Sequence, residues 1–457
     1  MAAQSLSDTE FHRLMISLRP PRQLALAVSG GGDSMALLCL VARWRESHAP
    51  QAEISVLTVN HGLRAQAHEE AALVAKAAAR LGFKHHVLHW HETKPSTGLQ
   101  EAARQARYAL MSEWCAGNGV DTLMTAHTLD DQAETVLMRL TRASGIDGLA
   151  GMAARNSLFG MTLLRPLLGI ERARLRATLT MFGQEWTEDS SNEDPRFTRV
   201  RLRQAMPELA KLGVTQKRLI ALAREAAGLR SVLDAATADF LKVAVRQGKE
   251  GFYVLDAGAL NDAFAPVALR ALKLLLLGAG GALWPARTAA LQQLYDGVKV
   301  WVANSDEEAL GRGRTLGGCK IVPQRQRHLL FVRETGRLKI KPVPLEPGET
   351  RSWDRRFFLS LPAATPATGG QRYYAGALGQ GLGTVPRQLV QGARSRLSRL
   401  VLEGLPALRG WDGELLNVPH LGFVADTAQS TPAAAFSASF HPGLAGSQPI
   451  LEAAFGA

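Results

Sequence analysis

Cysteine is scarce in this sequence. The three residues, Cys39, Cys115 and Cys319, stand far apart and form no C-x-x-C pair. That spacing argues against a disulfide framework, a zinc knuckle and an iron–sulfur site. Long apolar runs are missing too: the best, around Leu272 to Leu277, is far too short for a bilayer. The opening MAAQSLSDTEFHRLM carries acids early and lacks the apolar core of a secretory signal. A cytoplasmic location without membrane association is the expectation. Acidic charge is in deficit, with 41 Asp and Glu against 53 Lys and Arg and a net charge of +12. Such an excess points to a polyanionic partner. Between Arg196 and Arg218 it is concentrated: Arg196, Arg199, Arg201, Arg203, Lys211, Lys217 and Arg218 face one acid, Glu208. A stripe of that kind is the footprint of a phosphate backbone.

Two familiar phosphate-binding patterns are also lacking. No lysine follows the glycines at 30–32, so there is no Walker A loop, and G-x-G-x-x-G is absent there. What stands there instead is LALAVSGGGDSMAL, Leu24 to Leu37. Leu24 to Val28 suits a buried parallel strand, and the chain resumes after the glycines as an apolar helical run. Strand, glycine turn and helix place backbone N–H groups and a helix N-terminus where an anion can sit. Gly30, Gly31 and Gly32 keep Cβ atoms away from that anion, Ser29 and Ser34 add hydroxyls, and Asp33 can hold a metal ion that bridges phosphates.

A length of 457 residues suggests two to four domains. Strand-like runs at Ile54–Asn60, His85–Trp90 and Thr122–Ala126 alternate with helical runs at Ala65–Leu81, Leu99–Trp114 and Leu129–Arg142. That alternation predicts an α/β fold, a doubly wound parallel sheet with ligands beyond the carboxyl ends of its strands. Met206–Leu277 reads as mostly helical, with a short polar hairpin near Gly248–Val254, and Trp284–Leu294 as another helix. Trp301–Val332 reads as short strands, Val343–Pro347 as a linker, and Gln388–Leu405 as one basic helix. Boundaries near Pro207 and Pro342 give a catalytic domain over 1–206, a mainly helical substrate-binding domain over 207–342, and a small mixed α+β domain over 343–457. His85, His86, His89 and His91 invite a metal reading, but in a run that lies before a loop rather than a site they read as a polar sheet edge. Gly379, Gly381 and Gly383 lack the strand–helix context of a phosphate loop.

A second constellation runs His127, Thr128, Leu129, Asp130, Asp131, Gln132, Ala133, Glu134, Thr135, where a strand gives way to a helix. Asp130 and Glu134 are i, i+4 neighbours and Asp131 is i, i+3 from Glu134. Three carboxylates at one helix end suit a metal ion, an ammonium group, or both. Helix capping explains one aspartate well, but not a third acid and a flanking histidine. Arg104 and Arg107 in EAARQARY share one helix face, and guanidinium forks match phosphates. A fourth segment, Asp189 to Asp194, precedes Arg199, Arg201 and Arg203.

In this order the segments resemble the bacterial tRNA(Ile)-lysidine synthetase family, within the PP-loop ATP pyrophosphatases. The family pattern is SGGxDS, VNHxLR (Val59 to Arg64), ARxxRY, HxxDDQxET, GL-x-GM (Gly148 to Met152), RPLL (Arg165 to Leu168) and D-x-SN-x-D before an arginine segment. All are present across about residues 20 to 205, while the C-terminal third matches only loosely. One departure is Val200 and Gln204 where the family usually has Asn and His. The resemblance implies an enzyme that uses ATP and Mg²⁺ to join free L-lysine to the wobble cytidine of an isoleucine tRNA with a CAU anticodon, through an adenylated base. It implies nucleotide contacts from Ser29, Gly30, Gly31, Gly32, Asp33, Ser34, His61 and His127, and metal contacts from Asp33 and Asp130. Asp130, Asp131 and Glu134 would meet lysine, and Arg104, Arg107 and Arg203 phosphate or tRNA. Asp33, Asp131, Glu134 and Arg107 are the catalytic candidates, and the two later domains would grip the tRNA. A homodimer is left open. A related thiolase would need reactive or cluster-binding cysteines that this chain lacks, and a silent RNA-binding protein has no use for Asp33, Asp130, Asp131 and Glu134.

Overall fold

A helix that sequence reading missed comes first: α1 (Asp8–Leu18). Ser7 and Glu10 form a reciprocal capping box at its start, and Phe11, Met15 and Leu18 turn inward. The structure, a computed structural model, describes the chain except residues 1–2, 63–66, 92–93, 95–97, 143, 159, 189–197, 283–284, 305–309, 311–312, 337–339, 364–371, 442–447 and 456–457. The chain divides into two compact units, Met1–Val232 and Leu233–Ala457.

The first unit continues as β1 (Gln23–Ala27), α2 (Gly32–His48), β2 (Glu53–Asn60), α3 (Ala67–Arg80), β3 (Lys84–His89), α4 (Leu99–Gly117), β4 (Thr122–Met124) and α5 (Leu129–Leu140). After α6 (Ile146–Leu149) come β5 (Arg155–Leu158), β6 (Met161–Leu164), α7 (Arg172–Phe182), α8 (Thr198–Lys211) and α9 (Gln216–Ala244), the last of which runs past Val232. The sheet order is β3-β2-β1-β4-β6-β5. All neighbours pair in parallel except β5, an antiparallel edge strand on β6. The expected parallel sheet is therefore mixed at one edge, where a tight hairpin replaces a helical crossover.

The period of β1 explains its central place. Leu24, Leu26 and Val28 enter the core shared with α1, α2 and α7, whereas Ala25 and Ala27 enter the core with Tyr108, Met111 and Cys115 of α4. Both faces are thus covered, as a run of small and branched apolar residues requires. The strand order reverses between β1 and β4. At such a reversal the crossovers of a parallel sheet leave to opposite faces, and ligands of open α/β sheets bind beyond the carboxyl ends of the strands there.

The second unit holds β7 (Val245–Gly248), β8 (Phe252–Asp256), α10 (Ala257–Asp262), α11 (Ala265–Gly280), α12 (Thr288–Asn304), β9 (Arg314–Leu316), β10 (Cys319–Gln324) and β11 (His328–Arg333). These strands form an antiparallel sheet, β7-β8-β11-β10-β9, and Trp301, expected on a strand, lies in α12. Then come β12 (Val343–Leu345), β13 (Thr350–Trp353), β14 (Phe357–Ser360), β15 (Tyr373–Ala377), α13 (Arg387–Arg394), α14 (Arg399–Glu403), β16 (Pro406–Gly410), β17 (Leu415–Val418), β18 (Phe423–Val424), β19 (Ser437–Phe440) and α15 (Gln448–Phe455). The expected linker at Val343 is instead edge strand β12, where Pro344 is tolerated because an edge needs hydrogen bonds on one side only. The single basic helix expected over Gln388–Leu405 is two, α13 and α14, with Ser398 capping the second.

One buried ion cluster ties the second unit together. Arg333 grips Asp354 through Nε and Nη2 at 2.9 and 2.8 Å, and Arg356 Nε donates to the same carboxylate at 2.8 Å. Arg356 is 1% exposed, so Asp354 is its means of staying charged out of water. Asp354→Ala in the full chain is expected to cost about 3–5 kcal/mol, by stranding that charge. Urea denaturation followed by circular dichroism should show the loss; an unchanged transition would contradict it.

Candidate active site

At the carboxyl end of β1 the chain turns through Gly30, whose φ of 89° favours glycine. A Cβ at Gly30 would lie 3.2 Å from Thr187 Oγ1, and one at Gly32 would lie 3.3 Å from the Trp186 ring. Thr187 N–H also donates to the Gly30 carbonyl at 3.0 Å, so the segment after α7 forms one wall of the loop. The Ser34 hydroxyl is engaged within the loop: it accepts from Ser29 N–H at 3.1 Å and donates to the Gly31 carbonyl at 2.9 Å. Gly31 is the N-cap of α2, and Asp33 sits in its first turn.

At the carboxyl end of β4 the second constellation caps α5. Thr128 and Asp131 form a capping box in which Asp131 Oδ2 accepts from Thr128 N–H and Oγ1, both at 2.9 Å. Capping thus occupies one oxygen of Asp131 and leaves the other facing inward. That oxygen, Oδ1, accepts from Arg172 Nη2 at 3.1 Å, while Arg172 Nε donates to Asp33 Oδ2 at 2.9 Å. Arg172 N–H donates to Asp130 Oδ2 at 2.8 Å. One residue therefore gathers acids from both loops, across 139 and 41 positions of sequence.

Sequence reading did not single out Arg172. Its signal was present: a cation in the first turn of α7 opposes the helix dipole and needs acids elsewhere to hold it. Burial raises the Asp33 carboxyl above its ordinary range, with Asp131 and Asp130 adding to that and Arg172 opposing. Burial also works against the charge of Asp131, but Arg172 and Thr128 hold it below the ordinary range. Glu134, 4% exposed, accepts from Arg203 Nε at 2.8 Å through Oε1. Its buried Oε2 has no hydrogen-bond partner among the described residues.

Beside these acids stands a group of cations. Arg104 and Arg107 lie 5.2 and 6.0 Å from the centre of the Tyr108 ring. Partial desolvation, then the charges of Arg104 and Arg199, hold Arg107 below the usual guanidinium range, with Tyr108 working the other way. Arg165 is buried, donates to the Ala153 carbonyl at 2.7 Å, and has an Nε without a hydrogen-bond partner among the described residues. His127 pairs through Nδ1 with Thr125 Oγ1 at 2.9 Å. Burial, followed by Arg165, Arg104 and Arg199, pushes its imidazole down to about 3, so it is neutral at ordinary pH.

Structure thus brings Asp33, Asp130 and Asp131 together around Arg172, with Glu134 one turn further along α5. Arg203 joins Glu134, and Arg104 and Arg107 stand with Arg199 near His127. His61 follows β2 and meets Trp90 edge-on, 6.0 Å between ring centres. Leu63 and Arg64 of VNHxLR, and Asp189 to Asp194, lie outside the described residues. Of the two departures, Val200 is buried and Gln204 exposed, so the apolar replacement serves packing. Oxygen donors on two adjacent loops can hold a hard cation or an ammonium, and the arginines beside them can hold phosphates.

Residues 4–209 match the PP-loop domain family ATP_bind_3. The chain is 39% identical over 356 residues to the tRNA(Ile)-lysidine synthase of Ruegeria pomeroyi, covering 77% of this chain and 79% of that one. Identity to the tRNA(Ile)-lysidine synthase of Rhodopseudomonas palustris is 46% over 257 residues, 56% of this chain and 72% of the relative. For that of Bradyrhizobium diazoefficiens it is 37% over 345 residues, 74% and 95%.

The environment of His127 makes a titration prediction. The unfolded imidazole takes up a proton near pH 6.5, whereas the folded site refuses it until about pH 3. The unfolded state then binds more protons, so His127 contributes a loss of stability as pH falls from about 6.5 toward 3. Histidine NMR should find the ring neutral from pH 8 to about 4. A ring that titrates between pH 5 and 7 would refute this.

Proposed function

The chain belongs to the tRNA(Ile)-lysidine synthase family, a family of ligase-type tRNA-modifying enzymes, and from that premise we propose that it is a cytoplasmic enzyme joining free L-lysine to the wobble cytidine of isoleucine tRNA with a CAU anticodon. The ring carbonyl oxygen of the base attacks the α-phosphorus of ATP, and pyrophosphate leaves. The ε-amine of lysine, having lost its ammonium proton, then attacks the activated ring carbon, and AMP leaves with the oxygen. Adenylation is needed because an amide-like oxygen is a poor leaving group.

The observation that carries this reading is the convergence of Asp33 and Asp131 on one guanidinium, beside a glycine loop, where the strand order reverses. Glycines at 30–32 suit the polyphosphate, with Ser29, Ser34, His61 and His127 around the nucleotide. Asp33 and Asp130 offer carboxylate oxygens, the hard donors that Mg²⁺ takes one or two at a time, and the cation Arg172 pairs with Asp33 and Asp131 there. Asp33 and Asp130 would hold the ion, which when bound supplies neutralisation of charge on the departing pyrophosphate. Asp131 and Glu134 hold the lysine ammonium, for which the unpartnered Glu134 Oε2 is a ready acceptor, and one of them takes its proton.

Arg104, Arg107 and Arg203 serve phosphate or RNA, supported by the grouping of Arg104 and Arg107 with Arg199. The regions 207–342 and 343–457 hold the body of the tRNA. Arg372 lies 5.6 Å over the ring of the exposed Trp411, a pairing suited to RNA. Sulfur transfer through this chain's own thiols is disfavoured: burial pushes Cys39 up to about 11, and Cys115 and Cys319 to about 12.

The test is AMP release from ATP with purified protein, CAU-anticodon isoleucine tRNA and each amino acid in turn. Release should require both that tRNA and lysine, with lysine recovered in RNA. Release indifferent to lysine would sink the assignment. Glu134→Gln should raise KM for lysine about 10- to 100-fold, the worth of one charge-assisted hydrogen bond, and Asp33→Asn should lower kcat by a comparable factor while tRNA binding persists. Steady-state kinetics and filter binding distinguish the two effects.

A further inference from the structure

We propose that Arg172 is a built-in counter-cation, which occupies ground among Asp33, Asp130 and Asp131 that the reaction's own cation takes, and which must let go when that cation arrives. The inference rests on the functional reading above but concerns a residue outside its reacting set.

Three observations point this way. First, Arg172 is attached to the acids at two levels. Its backbone N–H fixes Asp130 at 2.8 Å, and its guanidinium spans Asp33 and Asp131 at 2.9 and 3.1 Å. The main chain can therefore keep hold while the side chain leaves. Second, the position is uphill for a cation, because the first turn of α7 presents the positive end of its dipole. The acids hold the guanidinium there, against the helix. Third, the ion group is partly buried but not sealed from water: the side chains of Arg172, Asp33 and Asp131 are 23%, 24% and 16% exposed. A strut built for stability would be sealed like Arg356, whereas this one can exchange.

Charge completes the case. Asp33, Asp130 and Asp131 face one guanidinium, while Arg203 is engaged with Glu134. Gln216, the other described partner at Asp130, is neutral and donates at 3.3 Å. Among the described residues, three carboxylates of the group thus face one guanidinium. A compact divalent ion, or a lysine ammonium, answers that group better than a bulky planar cation that cannot neutralise itself.

The sign of one effect decides the matter. A strut, when removed, lets the carboxylates drift and weakens cation binding. A competitor, when removed, leaves them uncompensated and strengthens it. Calorimetry with MgCl₂ alone and L-lysine alone, on the full chain, should find Arg172→Gln binding at least one of these cations about 10-fold more tightly than the parent. Arg172→Lys, which keeps the charge but cannot span both acids, should fall between. Unchanged or weaker binding of both would overturn the proposal.

A readout on the parent protein covers the case where Arg172→Gln does not fold. With ¹⁵N-arginine labelling, the Arg172 Nε–H signal, assigned by its loss in Arg172→Lys, should shift and exchange faster with water on adding MgCl₂ or lysine. A signal unmoved by either ligand at saturation would overturn the proposal. Lysine- and tRNA-dependent AMP release with these negative results would leave the functional reading standing and remove only this inference. Absence of such release in the parent would remove the reading itself.

Discussion

Parallel pairing of β1 with both β2 and β4 is the constraint on which the rest of the first unit depends. Parallel neighbours cannot be joined by a tight turn, so each strand must be followed by a crossover that returns the chain to the same edge. Every strand therefore delivers its carboxyl end, and the loop beyond it, to one side of the sheet. With β2 on one side of β1 and β4 on the other, the crossovers leave on opposite faces, and the loops after β1 and β4 are not covered by a helix between them. Gly30 and Asp33 come from one of these loops, His127 and Asp131 from the other. Their proximity is a property of topology before it is a property of any side chain.

That geometry also explains why the acids are affordable. Three carboxylates this close repel one another, and burial disfavours each as an anion. Local bonds offset part of the cost: Thr128 satisfies one oxygen of Asp131, and the backbone of Arg172 satisfies one of Asp130. The helix N-termini of α2 and α5 add favourable dipole ends for Asp33 and Asp131. The charge of Arg172 answers part of what is left. Arg172 thus ties the carboxylates of the two loops together.

Much of this arrangement could be read from sequence where the signal was local. The strand–glycine–helix pattern around Ser29 to Ser34 is contiguous, and its glycine at φ 89° reflects a backbone need that residue type reports directly. The acids of α5 are likewise contiguous, and one helical turn brings Glu134 alongside Asp130 and Asp131. Arg172 was invisible because its partners lie 139 and 41 residues away, and it sits among Arg174 and Arg176 in a segment that reads as a plain basic helix. Helix α1 was legible but unread: Ser7 and Glu10 spell its capping box. In the second unit the strands have two to six residues, too short for a period of two to declare itself against the glycines and prolines between them. Their existence depends on pairing partners, as β12 shows by carrying Pro344 at a sheet edge.

Helix α8 sits between two fields of opposite sign, and its spacing connects them. Arg203 reaches the acid pocket and pairs with Glu134, while Arg199, one turn earlier, acts on Arg107 and His127. Between them Val200 is buried, which anchors the helix by packing and leaves its arginines to act as charges. Burial first, and then these cations, keep the His127 imidazole neutral: a protonated ring would add one more cation to a group that already repels itself. The acids hold the guanidinium of Arg172, whereas Arg165, Arg104 and Arg199 act on the imidazole itself.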